Sequence, residues 1–359
     1  MENNRYCVVM AGGVGSRFWP VSRTALPKQF LDILGTGKSF IRHTYERFEG
    51  IVPPENFLVV TNVNYKPLVL EHLPELREEQ VLCEPLGRNT APCIAYAAYK
   101  LRAKDPSSTM VVTPADHLVL NESEFARVAT EGLDFAEAHD ALVTIGIRPS
   151  RPDTGYGYIQ IDASEPAGTM HRVKTFTEKP TLDVAKMFVE SGEFFWNSGI
   201  FIWKTETIVR EMETHLPDMA QLFRSIADAY NTPDEAAAID RIYPECRNVS
   251  IDYGVMEKAS DVYVRCSEFG WSDIGTWGSL YTHAAKDAEG NAVSGEVMAY
   301  DTTGCILRVP EGKLAVVQGL KDYIVVQSED ALLICPKADE QNIRRYVEEV
   351  RLKKGPGYV

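Results

Sequence analysis

Short apolar runs alternate with amphipathic stretches along the first part of the chain. The apolar runs are rich in β-branched residues and predict buried strands at residues 6–10, 57–61, 80–83, 110–113 and 142–147. Between these runs, apolar residues recur at helical spacing and predict helices at residues 40–48, 65–72, 90–104 and 122–138. Strands that alternate with helices in this way predict a doubly wound α/β sheet.

The pattern changes after Arg148. Shorter strands are predicted at 158–161, 173–176 and 200–203, with helices near 182–190 and 206–215, and we interpret them as a second half of the same sheet. From about Asp287 the pattern predicts strands at 296–300, 305–309, 313–317, 323–327 and 331–334, and then a terminal helix at 340–352. We therefore predict a Rossmann-like α/β domain at residues 1–286 and a small C-terminal β module with a terminal helix at residues 287–359.

Composition and charge limit the classes of partner. Of the 359 residues, 45% are hydrophobic and 25% are charged, as in ordinary globular proteins. The net charge of −14 would repel a phosphate backbone or an acidic membrane over most of the surface. We therefore expect neither nucleic acid nor a membrane as a partner, and any basic site must be local.

The cysteines and the apolar runs indicate a cytoplasmic protein. Seven cysteines occur singly, without a C-x-x-C pair, and most lie in apolar runs where a reduced cysteine acts as a small hydrophobe. No apolar run approaches the ~20 residues that a membrane helix requires. Residues 1–6 lack the pattern of a signal peptide, so we expect none.

A glycine-rich segment follows the first predicted strand and indicates phosphate binding. Glycines allow backbone amides to approach phosphate oxygens, and they stand at Gly12, Gly13 and Gly15. Three cations follow them in the sequence: Arg17, Arg23 and Lys28. The expected ligand is a nucleoside triphosphate, and the alternative is a plain turn between a strand and a helix.

Two better-known phosphate loops do not fit this sequence. The glycine spacing differs from the G-x-G-x-x-G of dinucleotide-binding proteins, and Pro20 would break the helix which that motif requires. Gly37-Lys38-Ser39 resembles the end of a P-loop, but Asp32 stands where the earlier glycine would be needed. We interpret the second segment as an ordinary turn before the helix at 40–48.

Several segments together resemble the sugar-nucleotide pyrophosphorylase family. Residues 11–31, with their Phe-Trp-Pro, Ser-Arg and Pro-Lys-Gln-Phe parts, are similar in form to the mannose-1-phosphate guanylyltransferases within it. Further segments follow in the family's order at residues 84–92, 114–117, 154–159, 178–180, 195–201 and 271–277. The resemblance covers roughly residues 5–285, and several motifs in register are more specific than any single one.

The resemblance implies a nucleotidyltransferase that joins α-D-mannose 1-phosphate to GTP and releases GDP-mannose and diphosphate. It brings together Asp116, which follows the predicted strand at 110–113, and Asp273, which lies in a loop between two tryptophans. Two carboxylates and phosphate oxygens suit Mg²⁺, so this ion is the expected cofactor and both aspartates are its expected ligands. The alternative for each aspartate is a helix or turn cap.

The resemblance also implies the other site residues. Those expected to bind the nucleotide are Ala11, Gly12, Gly13, Gly15, Ser16, Arg17, Lys28, Glu84, Pro85, Asn89, Thr90, Ala91 and Asp116. Those expected to bind the sugar phosphate are Gly157, Glu178, Lys179 and Asn197. Those expected to take part in catalysis are Arg17, Lys28, Asp116, Lys179 and Asp273.

The sugar-side residues have distinct expected roles. Lys179 contacts the sugar phosphate, Glu178 accepts hydrogen bonds from sugar hydroxyls, and Asn197 supplies a neutral donor and acceptor. Gly157 lets the backbone approach the sugar ring. The alternatives are a solvated surface pair for Glu178 and Lys179 and a turn residue for Asn197.

The nucleotide side has one further expected element. Asn89 or Thr90 can cap the helix at 90–104, so the loop before it ends at a helix N-terminus, which favours nucleotides. In that loop, backbone carbonyls and the Glu84 carboxylate are acceptors for the N–H donors of guanine. His117 is interpreted as structural, because an already ionised phosphate needs no general base.

Some alternatives remain open at this point. The same chemistry could use another hexose 1-phosphate or another nucleotide, and a catalytically silent regulatory member of the fold would bind sugar nucleotide without turning it over. The seven histidines are not clustered, which argues against a zinc site. Family members often carry a short left-handed β-helix at the C-terminus, although no clean hexapeptide repeat is visible here. Relatives that also isomerise mannose 6-phosphate have a further domain, so we expect this chain to lack that activity; a homodimer is one option that the sequence leaves open.

Overall fold

The protein is represented by a computed structural model that describes residues 4–359. Residues 1–3, which belong to the sequence start where no signal peptide is expected, lie outside the described residues. Unit 1 and unit 2 are two compact parts of the chain. Unit 1 comprises Met1–Gly12, Thr44–Ala115 and Val119–Trp271, and unit 2 comprises Gly13–His43, Asp116–Leu118 and Ser272–Val359. The predicted domains at 1–286 and 287–359 stay a prediction, because the two compact units have other boundaries and each contains several separate segments of the chain.

The regular elements follow the predicted order. The strands are β1 Arg5–Met10, β2 Phe57–Asn62, β3 Val81–Glu84, β4 Thr109–Pro114, β5 Leu118–Val119, β6 Leu142–Ile147, β7 Gly157–Ala167, β8 Met170–Glu178, β9 Phe194–Lys204, β10 Val262–Ser267, β11 Trp271–Ser272, β12 Ala292–Ser294, β13 Glu296–Tyr300, β14 Ile306–Arg308, β15 Leu314–Gln318, β16 Tyr323–Gln327 and β17 Leu332–Pro336. The helices are α1 Phe40–Phe48, α2 Lys66–His72, α3 Thr90–Lys104, α4 Glu122–Ala138, α5 Leu182–Ser191, α6 Thr205–His215, α7 Pro217–Arg224, α8 Glu235–Ile242, α9 Trp277–His283 and α10 Ile343–Lys354.

Unit 1 is built on one mixed sheet. Within the described residues it has nine strands in the order β3-β2-β1-β4-β9-β6-β10-β8-β7. β1 is parallel to β2 and β4, as the doubly wound pattern predicts, whereas β9 runs antiparallel between β4 and β6. The strands after Arg148 therefore join the same sheet, and that prediction is confirmed.

The core of unit 1 explains why these segments fold as they do. Cys7, Val8 and Val9 in β1 have no exposed surface, since both faces of a central parallel strand are covered. α3 is buried along most of its length because alanines dominate its sequence and let it pack closely on the sheet and on α6. Three elements of unit 1 were not predicted: α7, α8 and β10.

Unit 2 contains two stacks of short parallel strands. β12, β14 and β16 form one stack, which β17 continues in the antiparallel sense, and β13 pairs with β15 in the other. Paired positions are 18 residues apart between β13 and β15 and between β14 and β16, whereas they are 14 residues apart between β12 and β14. The hydrogen bond from the amide of Tyr323 to Sγ of Cys305 also spans 18 residues. Cys305, Leu307 and Val325 are buried between the stacks. The predicted β module is confirmed, and its left-handed sense stays a prediction.

A second core in unit 2 joins segments that are far apart in the sequence. Phe18, Ile33, Trp277, Ile343 and Val347 are all buried in one cluster. The cluster therefore combines the segment at 13–43 with α9 and with the C-terminal helix α10. Across residues 4–359, no helix has both the length and the apolar composition needed to cross a membrane.

Candidate active site

The first residue of the glycine loop is held within unit 1. The amide of Ala11 donates to the carbonyl of Val60 over 2.8 Å, and the carbonyl of Ala11 accepts from Oγ1 of Thr61 over 2.8 Å. Ala11 is also buried. Its amide is therefore occupied, and backbone donors for a phosphate begin at Gly12.

The part of the loop in unit 2 is open at Gly13 and closely packed at Gly15. Gly13 is exposed, and no atom lies within 4 Å of the place where a Cβ would be. Gly15 has a φ of 72°, and a Cβ there would lie 2.5 Å from Cβ of Lys28. Only glycine meets both conditions at position 15. A 3₁₀ turn, Ser16–Phe18, follows and places Ser16 and Arg17 directly after the loop.

Lys28 is the centre of a cluster in unit 2. Its Nζ lies 2.9 Å from Oδ2 of Asp116, 3.0 Å from the carbonyl oxygen of Asp116 and 2.8 Å from the carbonyl oxygen of Asp273. The Lys28 side chain is only 4% exposed, and the rings of Phe18 and Phe40 lie 5.6 and 5.0 Å from Nζ. We call Lys28, Asp116 and Asp273 the Lys28 cluster. The two aspartates that the resemblance placed in one site thus contact one ammonium group, Asp116 with its carboxylate and Asp273 with its carbonyl.

The charge of Asp116 is stabilised in this cluster. Burial raises the pKa of its carboxyl. The charges of Lys28 and His117 and the hydrogen bond from Lys28 lower the pKa by more than burial raises it, so the net shift is downward. Nε2 of His117 lies 4.0 Å from Oδ1 of Asp116. Asp116 is therefore a carboxylate at neutral pH, as a metal ligand must be.

Asp273 lies on a strained turn. The next residue, Ile274, is fully buried and has a φ of 41°, a conformation that β-branched residues rarely adopt. Oδ1 of Asp273 accepts a hydrogen bond from the amide of Gly275 over 3.0 Å. A Cβ on Gly275 would lie 2.6 Å from Oδ2 of Asp273. The turn thus fixes the Asp273 carboxylate through its backbone and leaves it room.

The remaining cations near the loop differ in what they bind. Arg23 is ion-paired with Asp330 and donates to Oγ of Ser328, so it connects the loop to the β module within unit 2. Nε of Arg17 is buried and has no hydrogen-bond partner in the part of the chain that the structure describes. Burial and the nearby charge of Arg17 lower the pKa of Arg344 at the start of α10. Arg17 is therefore the cation that is available for an anion.

The donor set of the Lys28 cluster fits a hard divalent cation that keeps part of its water shell. Carboxylate oxygens are the ligands that Mg²⁺ prefers, and a cationic group, Nζ of Lys28, already lies against the Asp116 carboxylate. Among residues 4–359 there is no group of three or more His, Cys, Asp or Glu side chains that could hold a metal. Two protein carboxylates and substrate phosphates would therefore have to complete the ligand set.

One of the predicted nucleotide residues of unit 1, Glu84, is a buried carboxyl group. Glu84 is 6% exposed, and its Oε1 accepts a hydrogen bond from the hydroxyl of Tyr243. Burial raises the pKa of Glu84 to about 7, although the hydrogen bond from Tyr243 opposes the shift. A Cβ on Gly12 would lie 3.3 Å from Oε2 of Glu84. The carboxyl thus lies beside the start of the glycine loop.

The N-terminus of α3 is closed by groups of unit 1. Oδ1 of Asn89 accepts from the amide of Thr90 over 2.9 Å, and the amide of Ala91 donates to the carbonyl of Val249 over 3.1 Å. Oγ1 of Thr90 accepts from the amide of Ile251 over 2.9 Å. The capping role predicted for Asn89 is confirmed. The first amides of α3 are occupied, so a nucleotide near Pro85 and Asn89 would meet side chains and carbonyl groups.

The predicted sugar residues lie together in unit 1. Nζ of Lys179 lies 2.5 Å from Oε1 of Glu178, and 63% of the Lys179 side chain is exposed. Lys179 has a φ of 47°, so the chain turns sharply at the end of β8. Gly157 pairs with Glu178 across β7 and β8, and a Cβ on it would lie 2.5 Å from Oε2 of Glu178. Gly157 therefore makes room for the Glu178 carboxylate.

Asn197 contacts a residue that the sequence analysis missed. Its Nδ2 donates to Oδ1 of Asp252 over 2.7 Å, and its Oδ1 accepts from the amide of Gly199 over 3.1 Å. We call Glu178, Lys179, Asn197 and Asp252 the Asn197 cluster. No sequence signal distinguishes Asp252 from other acidic residues, because its partner is 55 positions away.

The chain also matches known protein families. It matches the family described as Nucleotidyl transferase over residues 6–290 and the one described as MannoseP isomerase/GMP-like beta-helix domain over residues 295–350. The mannose-1-phosphate guanylyltransferase of Escherichia coli K12 is 37% identical over 358 residues, which cover 98% of this chain and 74% of that protein. The mannose-1-phosphate guanylyltransferase ManC of Salmonella typhimurium LT2 is also 37% identical, over 98% of this chain and 74% of its own length.

A solved structure gives the same result. The protein of Thermus thermophilus named mannose-1-phosphate geranyltransferase is 31% identical and superposes with a TM-score of 0.86, over 97% of this chain and 99% of that one. The predicted family and fold class are confirmed. The chain belongs to the mannose-1-phosphate guanylyltransferase family, and it combines a nucleotidyl transferase domain with a β-helix domain of the MannoseP isomerase/GMP-like type.

Proposed function

We propose that the protein transfers the guanylyl group of GTP to α-D-mannose 1-phosphate and releases GDP-mannose and diphosphate. The observation that carries the proposal is the Lys28 cluster, in which one buried ammonium group holds Asp116 and the turn of Asp273 beside the glycine loop. The names of the relatives give the substrates.

The reaction needs positioned charge more than proton transfer. A phosphate oxygen of mannose 1-phosphate attacks the α-phosphorus of GTP, and the bond between that phosphorus and the oxygen bridging to the β-phosphate breaks. The electron pair leaves with diphosphate. Because the attacking phosphate is already ionised, no base must remove a proton, and His117 keeps a structural role.

Asp116 and Asp273 would hold the Mg²⁺ ion on which we propose the reaction depends. When bound, the ion offsets negative charge on the triphosphate. Lys28 supports this site by fixing Asp116, and Arg17, with its unpartnered Nε, would bind phosphate oxygens together with the amides of Gly12 and Gly13.

The Asn197 cluster would bind the sugar phosphate. The exposed ammonium group of Lys179 can exchange Glu178 for the incoming phosphate, and Glu178 then becomes an acceptor for sugar hydroxyls. Gly157 leaves space for the Glu178 carboxylate beside the ring. Nδ2 of Asn197 donates to Asp252, and its Oδ1 accepts from the amide of Gly199 and from Oγ1 of Thr144, so its own contribution to the sugar is limited to its remaining N–H.

The nucleotide base would lie against the loop that begins at Glu84. Guanine presents adjacent N–H donors, and the carbonyls of the loop together with the ionised form of Glu84 are acceptors for them. Equal catalytic efficiency with GTP and ATP would exclude this assignment.

Diphosphate release tests the reaction and the cofactor together. The protein is incubated with each pair from a set of hexose 1-phosphates and nucleoside triphosphates, with Mg²⁺ and with excess EDTA. We expect the highest rate for mannose 1-phosphate with GTP and none in EDTA. A higher rate for another sugar or base would replace the substrate assignment. Sugar-nucleotide binding without any turnover would indicate a silent member of the fold, and full activity in EDTA would exclude the metal.

We also propose a cytoplasmic location, because all seven cysteines are free and five of them are buried. Subcellular fractionation of the source cells tests this. Recovery of the protein in an oxidising compartment would contradict it.

A further inference from the structure

A π-helical turn in unit 1, Asp252–Met256, borders the sugar residues. It brings Asp252 against Asn197, and the next side chain, Tyr253, is 50% exposed. π-Turns are rare and occur mostly at functional sites. The turn lies outside the motifs that carry the family resemblance.

The hydrogen bonds fix the orientation of the Asn197 amide. The backbone amide of Gly199 can only donate, so the atom of Asn197 that faces it must be Oδ1. Nδ2 therefore faces Asp252, where it donates to Oδ1 over 2.7 Å. A turned Asn197 would set two acceptors against each other at Asp252, so Asp252 selects one orientation of this amide.

One oxygen of Asp252 remains available. In the described part of the chain, no other residue donates a hydrogen bond to Oδ2 of Asp252. Burial raises the pKa of the Asp252 carboxyl, the hydrogen bond from Asn197 opposes that shift, and the charge of Glu178 adds to it. A carboxyl oxygen without a hydrogen-bond partner, in the field of a second carboxylate, is stabilised by a hydroxyl donor.

We propose that Asp252 is a specificity-determining residue, which positions Asn197 through Oδ1 and accepts a hydrogen bond from one hydroxyl of the hexose through Oδ2. This inference rests on the proposed function, since it takes the ligand of the Asn197 cluster to be a hexose 1-phosphate. Glu178 and Asp252 then form two acceptors in the neighbourhood of Lys179. Such a pair selects the arrangement of hydroxyls on a sugar, whereas Lys179 recognises the phosphate that all hexose 1-phosphates share.

Three variants separate these roles from a merely structural one. Asp252→Ala removes both carboxyl oxygens, and Asp252→Asn keeps an acceptor for Asn197 while it replaces the second oxygen by a donor. Glu257→Gln is the matched control, because it removes a charge directly after the same turn and Glu257 has no hydrogen bond to Asn197 among the described residues. Thermal unfolding midpoints of all three variants are recorded.

The assay pairs each variant with substrates that lack one hydroxyl. kcat and KM are measured at saturating GTP for mannose 1-phosphate and for its 2-, 3-, 4- and 6-deoxy analogues. In the wild type, the analogue that lacks the contacted hydroxyl should lose about tenfold or more in kcat/KM, and in Asp252→Ala that loss should fall below about threefold. Compared with Asp252→Ala, Asp252→Asn should bring the KM for mannose 1-phosphate closer to the wild-type value, because it again accepts from Asn197. The loss of kcat/KM for the analogue without the contacted hydroxyl should return less. Glu257→Gln should retain the wild-type penalties.

The opposite outcome is equally clear. If every deoxy penalty is the same in Asp252→Ala as in the wild type, Asp252 makes no contact with the sugar and the proposal is wrong, whatever happens to stability. Failure of the proposed function is detected separately, in the wild type. If it prefers another hexose 1-phosphate, the deoxy series of that sugar is used. If it turns over none, calorimetric affinities for mannose 1-phosphate and its deoxy analogues provide the same comparison.

Discussion

The Lys28 cluster and the Asn197 cluster each set a lysine against a carboxylate, but the two lysines have opposite surroundings. The Lys28 side chain is 4% exposed and bound by three oxygens, whereas that of Lys179 is 63% exposed and bound by one. Lys28 is therefore in place before any ligand arrives, and Lys179 can move to a ligand. The difference separates a cation that organises the protein from a cation that recognises a substrate.

Removal of Lys28 should have the largest effect. In Lys28→Met, Asp116 loses its partner and the turn of Asp273 loses a donor, so we expect activity to fall on the order of 10³-fold and the free energy of unfolding to fall by about 2 to 3 kcal/mol. Steady-state kinetics and denaturant unfolding measure these losses. Lys100→Met is the matched control, because it breaks the buried pair of Lys100 with Glu235 in unit 1. Lys100→Met should lose stability but keep its activity. Near-normal activity in Lys28→Met would contradict the distinction between Lys28 and Lys179.

Neutralisation of the aspartates should have the next largest effect. Asp116→Asn and Asp273→Asn should each lower kcat by about 10²-fold or more, because each removes a charged ligand from the proposed metal. Asp116→Asn should also destabilise the fold slightly, since Lys28 keeps its charge without a carboxylate partner. Asp322→Asn, which removes an aspartate paired with Lys337 elsewhere in unit 2, serves as the control. If raised Mg²⁺ fully restores either variant, that residue affects the affinity for the metal alone.

Lys179 should show the reverse profile to Lys28. Lys179→Met should raise the activation free energy that corresponds to kcat/KM for mannose 1-phosphate by about 2 kcal/mol, because a charged hydrogen bond to the phosphate is lost. GTP binding and the unfolding midpoint should stay unchanged. Glu178→Gln should instead reduce discrimination between mannose 1-phosphate and its C2 epimer, glucose 1-phosphate. Lys186→Met, an exposed lysine on α5, is the control for loss of surface charge. Unchanged sugar kinetics in Lys179→Met would reduce the pair of Glu178 and Lys179 to a surface turn.

The smallest effect concerns pH and stability at Glu84. The folded protein raises the pKa of this carboxyl to about 7, so the folded state holds the proton more tightly than the unfolded chain does. Ionisation of Glu84 lowers the free energy of unfolding. This loss is absent at low pH, grows as pH rises above the ordinary pKa of a glutamate and is complete above pH 7. Glu84→Gln should therefore stabilise the protein on the order of 2 kcal/mol at pH 8 and by much less at pH 5. Equal stabilisation at both pH values would contradict the shifted pKa.

The sequence predicted the elements whose signal is local. β1 and β4 are apolar runs whose side chains are buried on both faces of the sheet. α3 has an N-cap at Asn89 and an apolar pattern that ends near Lys104. The short helices α7 and α8 were missed because their few apolar residues pack against α6 and β3, and nothing in their own sequence marks these contacts.

Contacts between distant residues could not be predicted from the residues alone. Lys28 meets the carbonyl of Asp273 across 245 positions, and the resemblance to a family, rather than any local pattern, placed the two residues in one site. Asp252 lies outside the family motifs, and neither its own sequence neighbourhood nor the resemblance indicates a role for it. The 18-residue period of the β module escaped notice because it repeats backbone positions without repeating a residue type.

The packing of unit 2 has a consequence for chimaeras between relatives. Nε1 of Trp19 donates to the carbonyl of Tyr358 over 2.7 Å, and Arg308 donates to the carbonyls of Asp32 and Ile33 over 3.0 Å. The segment at 13–43 and the C-terminal module therefore share one core although most of the chain separates them in the sequence. A hybrid joined at residue 286 would set the 13–43 segment of one parent against the module of another, so a working exchange has to carry residues 13–43 and 116–118 together with residues 272–359.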